Sequence, residues 1–217
     1  MNYLGWDSRT GYLWAAATTA WWGTDLQVSK NGGKTWQKSS SGIGFAKERG
    51  LNLNRIWKLV PDRVSRGADP GALFCSDNGG QNWYEVPGLT QHPTREKWMP
   101  GGGGLMVHCI LPDPGHPNRI YAGISVAGCF RSDDDGATWR PLNKGVLADF
   151  QPQKYPEIGQ CVHSMHLSSS NPDWLFQQNH CGLYRSQNAA EDWTDISQGL
   201  PSRFGFASLL DPPAGNL

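Results

Sequence analysis

Ser132-Asp-Asp-Asp-Gly-Ala-Thr-Trp139 decides the fold, because the chain repeats this eight-residue pattern three more times. The other copies are Ser29-Lys-Asn-Gly-Gly-Lys-Thr-Trp36, Ser76-Asp-Asn-Gly-Gly-Gln-Asn-Trp83 and Ser186-Gln-Asn-Ala-Ala-Glu-Asp-Trp193. Their serines lie 47, 56 and 54 residues apart, a period too long for a hairpin and suited to one four-stranded unit per repeat. The residue types have mechanical reasons. A short carboxamide or carboxylate at the third position (Asn31, Asn78, Asp134, Asn188) can accept backbone N–H bonds. Gly33, Gly80 and Gly136 can take positive φ, and the Trp brings a large packing unit to the outer strand. Ala189, Ala190 and Asp192 make the fourth copy a degenerate turn. A turn repeated in every unit reads as architecture and not as an active site.

Around the third copy the unit is easiest to read. His108-Cys-Ile-Leu-Pro-Asp-Pro114 is a strand ending in a turn, Arg119 to Ser125 a second strand, Gly128 to Ser132 a third, and Thr138 to Leu142 a fourth. Val162–Leu167, Trp174–Gln178, Gly182–Ser186 and Trp193–Ile196 repeat the plan. The expected architecture is therefore all-β: a β-propeller of four-stranded antiparallel blades, about four of them, in an incomplete ring and a single domain over 1–217. The blades fall near 3–38, 55–87, 105–143 and 161–197, with a further one starting at 204–212. The second is expected to have lost much of its second strand around Val64 to Pro70.

Composition narrows the function classes. The 217 residues carry 19 Lys plus Arg against 19 Asp plus Glu, so the field that draws basic proteins to nucleic acid or anionic lipid is missing. Neither nucleic acid nor membrane is an expected partner. Asp7 and Arg9 interrupt the first twenty residues, which hold no long apolar run, so no leader is read there and the cytoplasm is the default location. Five cysteines are an odd number. Cys129 takes the place of Leu26, Leu73 and Leu183, and Cys75 that of Val28, Arg131 and Arg185, which argues against a disulfide framework.

The Ser-x-Asp-x-Gly-x-Thr-Trp pattern, following the Gly128-Cys-Phe130 strand, resembles the Asp-box, or bacterial neuraminidase repeat. Sialidases, exo-acting glucanase propellers, sortilin-type receptors and photosystem II assembly propellers share it. Within that set the chain is most similar to bacterial sialidase-like and glycosyl-hydrolase-like repeat proteins, over Gly11 to Ile196. The resemblance implies a propeller that hydrolyses or binds glycosidic substrates. A non-catalytic carbohydrate- or protein-binding scaffold is the alternative. Strict sialidase activity is not implied: the early Arg-Ile-Pro motif of sialidases has no match, and Arg49, Arg55, Arg63, Arg66, Arg95 and Arg203 supply no assignable triad.

Strand order then sorts the loops. If each blade runs from the inside outward, the boxes lie on one face and the long loops Gln37–Asn54, Tyr84–Gly104 and Pro141–Gln160 on the other, where a site is expected. Aligning the repeats sets Trp57, His108 and His163 side by side on the innermost strands, with Phe206 next. The expected substrate-binding residues are His108, His163, His180, Trp57 and Trp98, the last suited to stacking on a sugar ring as well as to burial. For hydrolysis the candidates are Glu157 or Asp149 as acid/base and Tyr155 as nucleophile, all on one loop. No cofactor and no metal are assigned. Cys161, His163, His180 and Cys181 are nonetheless a donor set of the type that zinc takes. The run Gly101 to Gly104 lacks the Lys-Ser/Thr of a phosphate-binding loop and reads as a flexible approach to the inner strand.

Overall fold

A computed structural model describes residues 3–19, 23–39, 43–60 and 65–210. Among these described residues sixteen strands form four antiparallel sheets, each taken up in sequence order. Blade 1 is β1 (Tyr3–Asp7), β2 (Tyr12–Thr19), β3 (Gly23–Ser29) and β4 (Gln37–Lys38). Blade 2 is β5 (Arg55–Val60), β6 (Ser65–Asp69), β7 (Ala72–Cys75) and β8 (Tyr84–Glu85). Blade 3 is β9 (Val107–Pro112), β10 (Ile120–Ile124), β11 (Gly128–Ser132) and β12 (Arg140–Pro141), and blade 4 is β13 (Val162–Leu167), β14 (Leu175–Asn179), β15 (Gly182–Ser186) and β16 (Thr194–Asp195). The expected loss in blade 2 is corrected: β6 keeps five residues and pairs with both neighbours, while 61–64 lie outside the described residues. No strand forms over 204–210, and 211 and 212 lie outside the described residues. Among the described residues no helix is long and apolar enough to cross a membrane.

First strands stand together: β1 packs beside β5, β5 beside β9 and β9 beside β13. Each hydrophobic core is a seam between successive sheets. Trp14, Leu26, Ile56, Phe74 and Trp83 fill the first. Leu73, Val86, Val107, Phe130 and Trp139 fill the second, and Cys109, Tyr121, Leu142, Val162, Tyr184 and Trp193 the third. The box Trp is thus the wedge against the preceding blade. Trp83, Trp139 and Trp193 are buried there, whereas Trp36 is 39 % exposed.

The four boxes share one bonding scheme. The serine hydroxyl accepts the N–H of the fifth position at 2.8–2.9 Å (Gly33, Gly80, Gly136, Ala190). The third-position side chain accepts the N–H of the seventh at 2.8–3.0 Å. The fourth copy keeps this geometry although Ala189 and Ala190 must adopt φ of 57° and 70°, a region that disfavours a Cβ. Cys109, Cys129, Cys161 and Cys181 are free thiols. Gly101 and Gly104 exchange backbone hydrogen bonds of 3.1 and 3.0 Å, so this glycine run is closed into a tight turn instead of the expected flexible approach.

Candidate functional site

In blades 2, 3 and 4 the pairing of the first two strands skips one residue at the same place. Trp57 falls between the pairs Ile56↔Ala68 and Lys58↔Gly67. His108 falls between Val107↔Ile124 and Cys109↔Gly123. His163 falls between Val162↔Asn179 and Ser164↔Gln178. An extra residue of this kind re-aims its side chain out of the ladder. The register of blade 1 is unbroken from Tyr3↔Ala16 to Asp7↔Tyr12, and its equivalent position precedes Tyr3, outside the described residues.

The three bulge residues meet ring to ring. Trp57 and His108 lie 5.6 Å apart edge to face, and His108 and His163 lie 6.3 Å apart. Phe206 stacks on His163 at 4.5 Å and 18°. Trp57, His108 and His163 are half-buried, and Phe206 is 66 % exposed. Burial, then the neighbouring His163, pushes His108 down to about 4. His163 is lowered too, chiefly by burial and further by His180, against the Gly205 carbonyl bond that favours its charged form. At neutral pH the row is therefore an uncharged aromatic platform.

His180, on the turn between β14 and β15, closes one end of the row at 6.0 Å from His163, with Phe150 and Phe204 edge-on to its ring. Its backbone N–H donates to the Cys161 carbonyl at 3.2 Å. The Cys161 thiol meets His163 Nε2 at 3.4 Å, while His163 Nδ1–H donates to the Gly205 carbonyl at 2.6 Å. Cys181 turns elsewhere: its thiol donates to Asp149 Oδ1 at 3.0 Å. That bond is the largest influence holding the Asp149 carboxyl below the usual carboxylate range. Burial first, then Asp149, pushes the Cys181 thiol up to about 11.

The residues grouped in sequence on the Pro141–Gln160 loop part company. Asp149 joins the His180 and Cys181 group, whereas Tyr155 and Glu157 border a separate hollow of 240 Å³ with Pro141, Lys144 and Glu191. Trp98 is not on the surface: it is 5 % exposed, packs 5.0 Å from Phe130 and donates from Nε1 to Thr94. The sugar-stacking role expected of it is therefore corrected to a core role; the short 3₁₀ turn Arg95–Lys97 folds it inward. A hollow of 680 Å³ opens on the box face between blades 2 and 3, lined by Asp77, Gly79, Tyr84 and Asp135 among others. Turn residues of two boxes make part of that wall, with Arg9, Tyr84 and Glu85 beside them.

Sequence reasoning missed Phe150, Phe204 and the bulges. The repeat alignment carries a signal for the aromatic row but none for an extra residue in a strand. Phe204 and Phe206 alternate around Gly205, a period-2 pattern that could have drawn both into the group.

Four sequential four-stranded sheets, each closed by a Ser-anchored turn, give the described residues a β-propeller-type fold of Asp-box blades, in an open set of four. Residues 27–38 match the BNR/Asp-box repeat. The chain is 21 % identical over 178 residues to an oligoxyloglucan-reducing end-specific xyloglucanase of Emericella nidulans, covering 73 % of this chain and 21 % of the relative. An ancestral GH74 enzyme superposes with a TM-score of 0.62 at 18 % identity, over 90 % of this chain and 24 % of that one. The extracellular domain of a putative one-component system from B. thetaiotaomicron gives a TM-score of 0.55 at 16 % identity, over 89 % and 23 %. The chain thus spans 21–24 % of the length of these relatives.

Proposed function

We propose that the loop face of these blades binds a saccharide, as part of a glycoside-hydrolase-like Asp-box propeller. The observation that carries this reading is the row Trp57, His108, His163 and Phe206, three of them turned into line by the same bulge in successive blades. Flat apolar rings offer a sugar stacking area, and the His108 imidazole among them adds hydrogen-bonding capacity. The xyloglucanase relative makes xyloglucan oligosaccharides the first probes.

Binding is favoured over hydrolysis by Asp149, Tyr155 and Glu157. A glycosidase acid must hold a proton at its working pH, whereas Asp149 is held ionised by the Cys181 bond. Its supposed partners Tyr155 and Glu157 border a different hollow. Titration calorimetry with xyloglucan oligosaccharides, beside a reducing-end assay, tests the reading. Binding should weaken in Trp57→Ala and in Phe206→Ala and persist in Tyr155→Phe. Binding that survives the double Trp57→Ala, Phe206→Ala change refutes the row as the site. Sugar release abolished by Glu157→Gln would transfer the function to the hydrolytic reading.

A further inference from the structure

We infer that Cys161, His163 and His180 form a three-ligand site for one zinc-type divalent transition-metal ion at the end of the aromatic row. Their donor atoms, one thiol sulfur and two imidazole nitrogens, all lie within 4.8 Å of one another. A tetrahedral zinc ion with its usual Zn–N and Zn–S lengths needs sulfur and nitrogen about 3.5 Å apart. The Cys161 sulfur and His163 Nε2 stand at 3.4 Å. His180 is on an exposed turn whose backbone is already tied to the Cys161 carbonyl, so closing the remaining edges asks for movement of one side chain.

The surroundings prepare these donors. A carbonyl can only accept, so the 2.6 Å contact with Gly205 puts the proton of His163 on Nδ1 and leaves the Nε2 lone pair facing the thiol. A backbone carbonyl behind a ligating imidazole is the usual way its tautomer and angle are fixed. On the other side, Val126 holds φ at 52°, an uncommon conformation for a β-branched residue. A backbone hydrogen bond links it to the Cys161 thiol. Mixed thiolate and imidazole donors select zinc-type ions over magnesium or calcium. Three protein ligands leave a fourth position for water. Cys181, whose thiol is engaged by Asp149, is not a ligand in this arrangement.

Binding replaces the Cys161 S–H bond with a sulfur–metal bond and releases one proton to the buffer. The test uses the untagged full chain, stripped with chelator and titrated with Zn²⁺ alone, then with Co²⁺ as an optical stand-in. One ion per chain is expected, with one proton released when the heat is compared between two buffers and a thiolate-to-cobalt charge-transfer band in the near ultraviolet. Cys161→Ser should abolish the band, and His180→Ala, on an exposed turn, should weaken Zn²⁺ binding at least tenfold. Cys181→Ser should retain both band and stoichiometry. Absence of stoichiometric uptake, or a band lost in Cys181→Ser and kept in Cys161→Ser, overturns the site. Because the ligand is the ion itself, the result is independent of whether any saccharide binds.

Discussion

Replacing Gly67 with alanine probes the seam that holds the aromatic row together. Gly67 lies in β6, opposite Leu73, with the inner strand of the next blade directly over it. A Cβ there would stand 2.5 Å from the Val107 carbonyl oxygen and 2.8 Å from the Val107 Cβ. Carbon and oxygen tolerate approach only to about 3.3 Å, so sheet and strand would have to part by about 0.8 Å. Neither obstacle is the free end of a side chain. Overpacking of this kind costs about 1–3 kcal/mol, and a rigid backbone obstacle puts Gly67→Ala in the upper part of that range. Stiffening of the unfolded chain returns about 0.4–1 kcal/mol. The net is roughly 2 kcal/mol, or a fall of about 4–8 °C in Tm for a chain of this size. Gly123→Ala should cost less, because its Cβ would meet the Met165 sulfur and a Val162 methyl, both at 2.8 Å and both movable. Gly44, with no atom within 4 Å of an added Cβ, is the control. Thermal and urea unfolding of the three variants should rank Gly67→Ala below Gly123→Ala below Gly44→Ala. A Gly67→Ala protein as stable as the control would show that β6 and β9 do not pack at this distance, and the 5.6 Å spacing of Trp57 and His108 would lose its support.

Further outcomes follow from the turns and the site. Ala189→Gly should raise stability by up to about 1 kcal/mol by relieving a left-handed residue. Ala190→Gly should be near neutral, since it also gives up a fully buried methyl worth about 0.8 kcal/mol; calorimetric melting separates the two. Asp134 is held below the usual carboxylate range by the Thr138 hydroxyl and backbone N–H. Its contribution is complete above the unfolded value of about 3.9 and is lost as pH falls through the lower folded value. Asp134→Asn keeps the acceptor and removes the titration, so its melting temperature should decline less than that of the parent between about pH 4 and 2. Cys181→Ala should move the Asp149 titration upward, read by carboxyl NMR, because the thiol bond is the first cause of its depression. Trp57→Ala should weaken saccharide binding by about 5–30-fold, the loss of about 1–2 kcal/mol of ring contact.

What the sequence made legible was whatever the repeat enforces. Strand order and box geometry follow from the repeated Ser-to-Trp pattern, and the equivalence of Trp57, His108 and His163 from aligning the proline-containing turns after the first strands. Trp98 was misread because it lies outside the repeated strands and turns, and only the packing against Phe130 and His92 reveals that it points inward. Tyr155 and Glu157 were grouped with Asp149 by proximity in the chain. Local turns separate them, with Ala148 N–H donating to the Lys154 carbonyl and Asn143 to that of Glu157. Glycine at 67 and 123 reads as weak strand sequence, and it is the closeness of the next blade that explains it.

The bulge divides the labour between fold and chemistry. Its place is constant across three blades while its occupant changes from Trp57 to His108 to His163, so the backbone delivers a side chain to the row and the sequence chooses which one. A similar contrast marks the second strand. The position filled by Ala16, Gly67 and Gly123 must be small where another sheet's inner strand covers it. In blade 4 it is Gln178, whose amide N–H groups reach the carbonyls of Gly182 and Arg203. The chain after Arg203 therefore approaches blade 4 through polar contacts. It leaves Phe204 and Phe206 facing His163 and His180 instead of sealing them in a seam. Removing the Gln178 contacts with Gln178→Ala should loosen that segment and disperse the aromatic group without unfolding the blades. Faster amide exchange confined to 203–208, with β13 to β16 protected as before, would be its signature, and a global loss of protection would refute the argument.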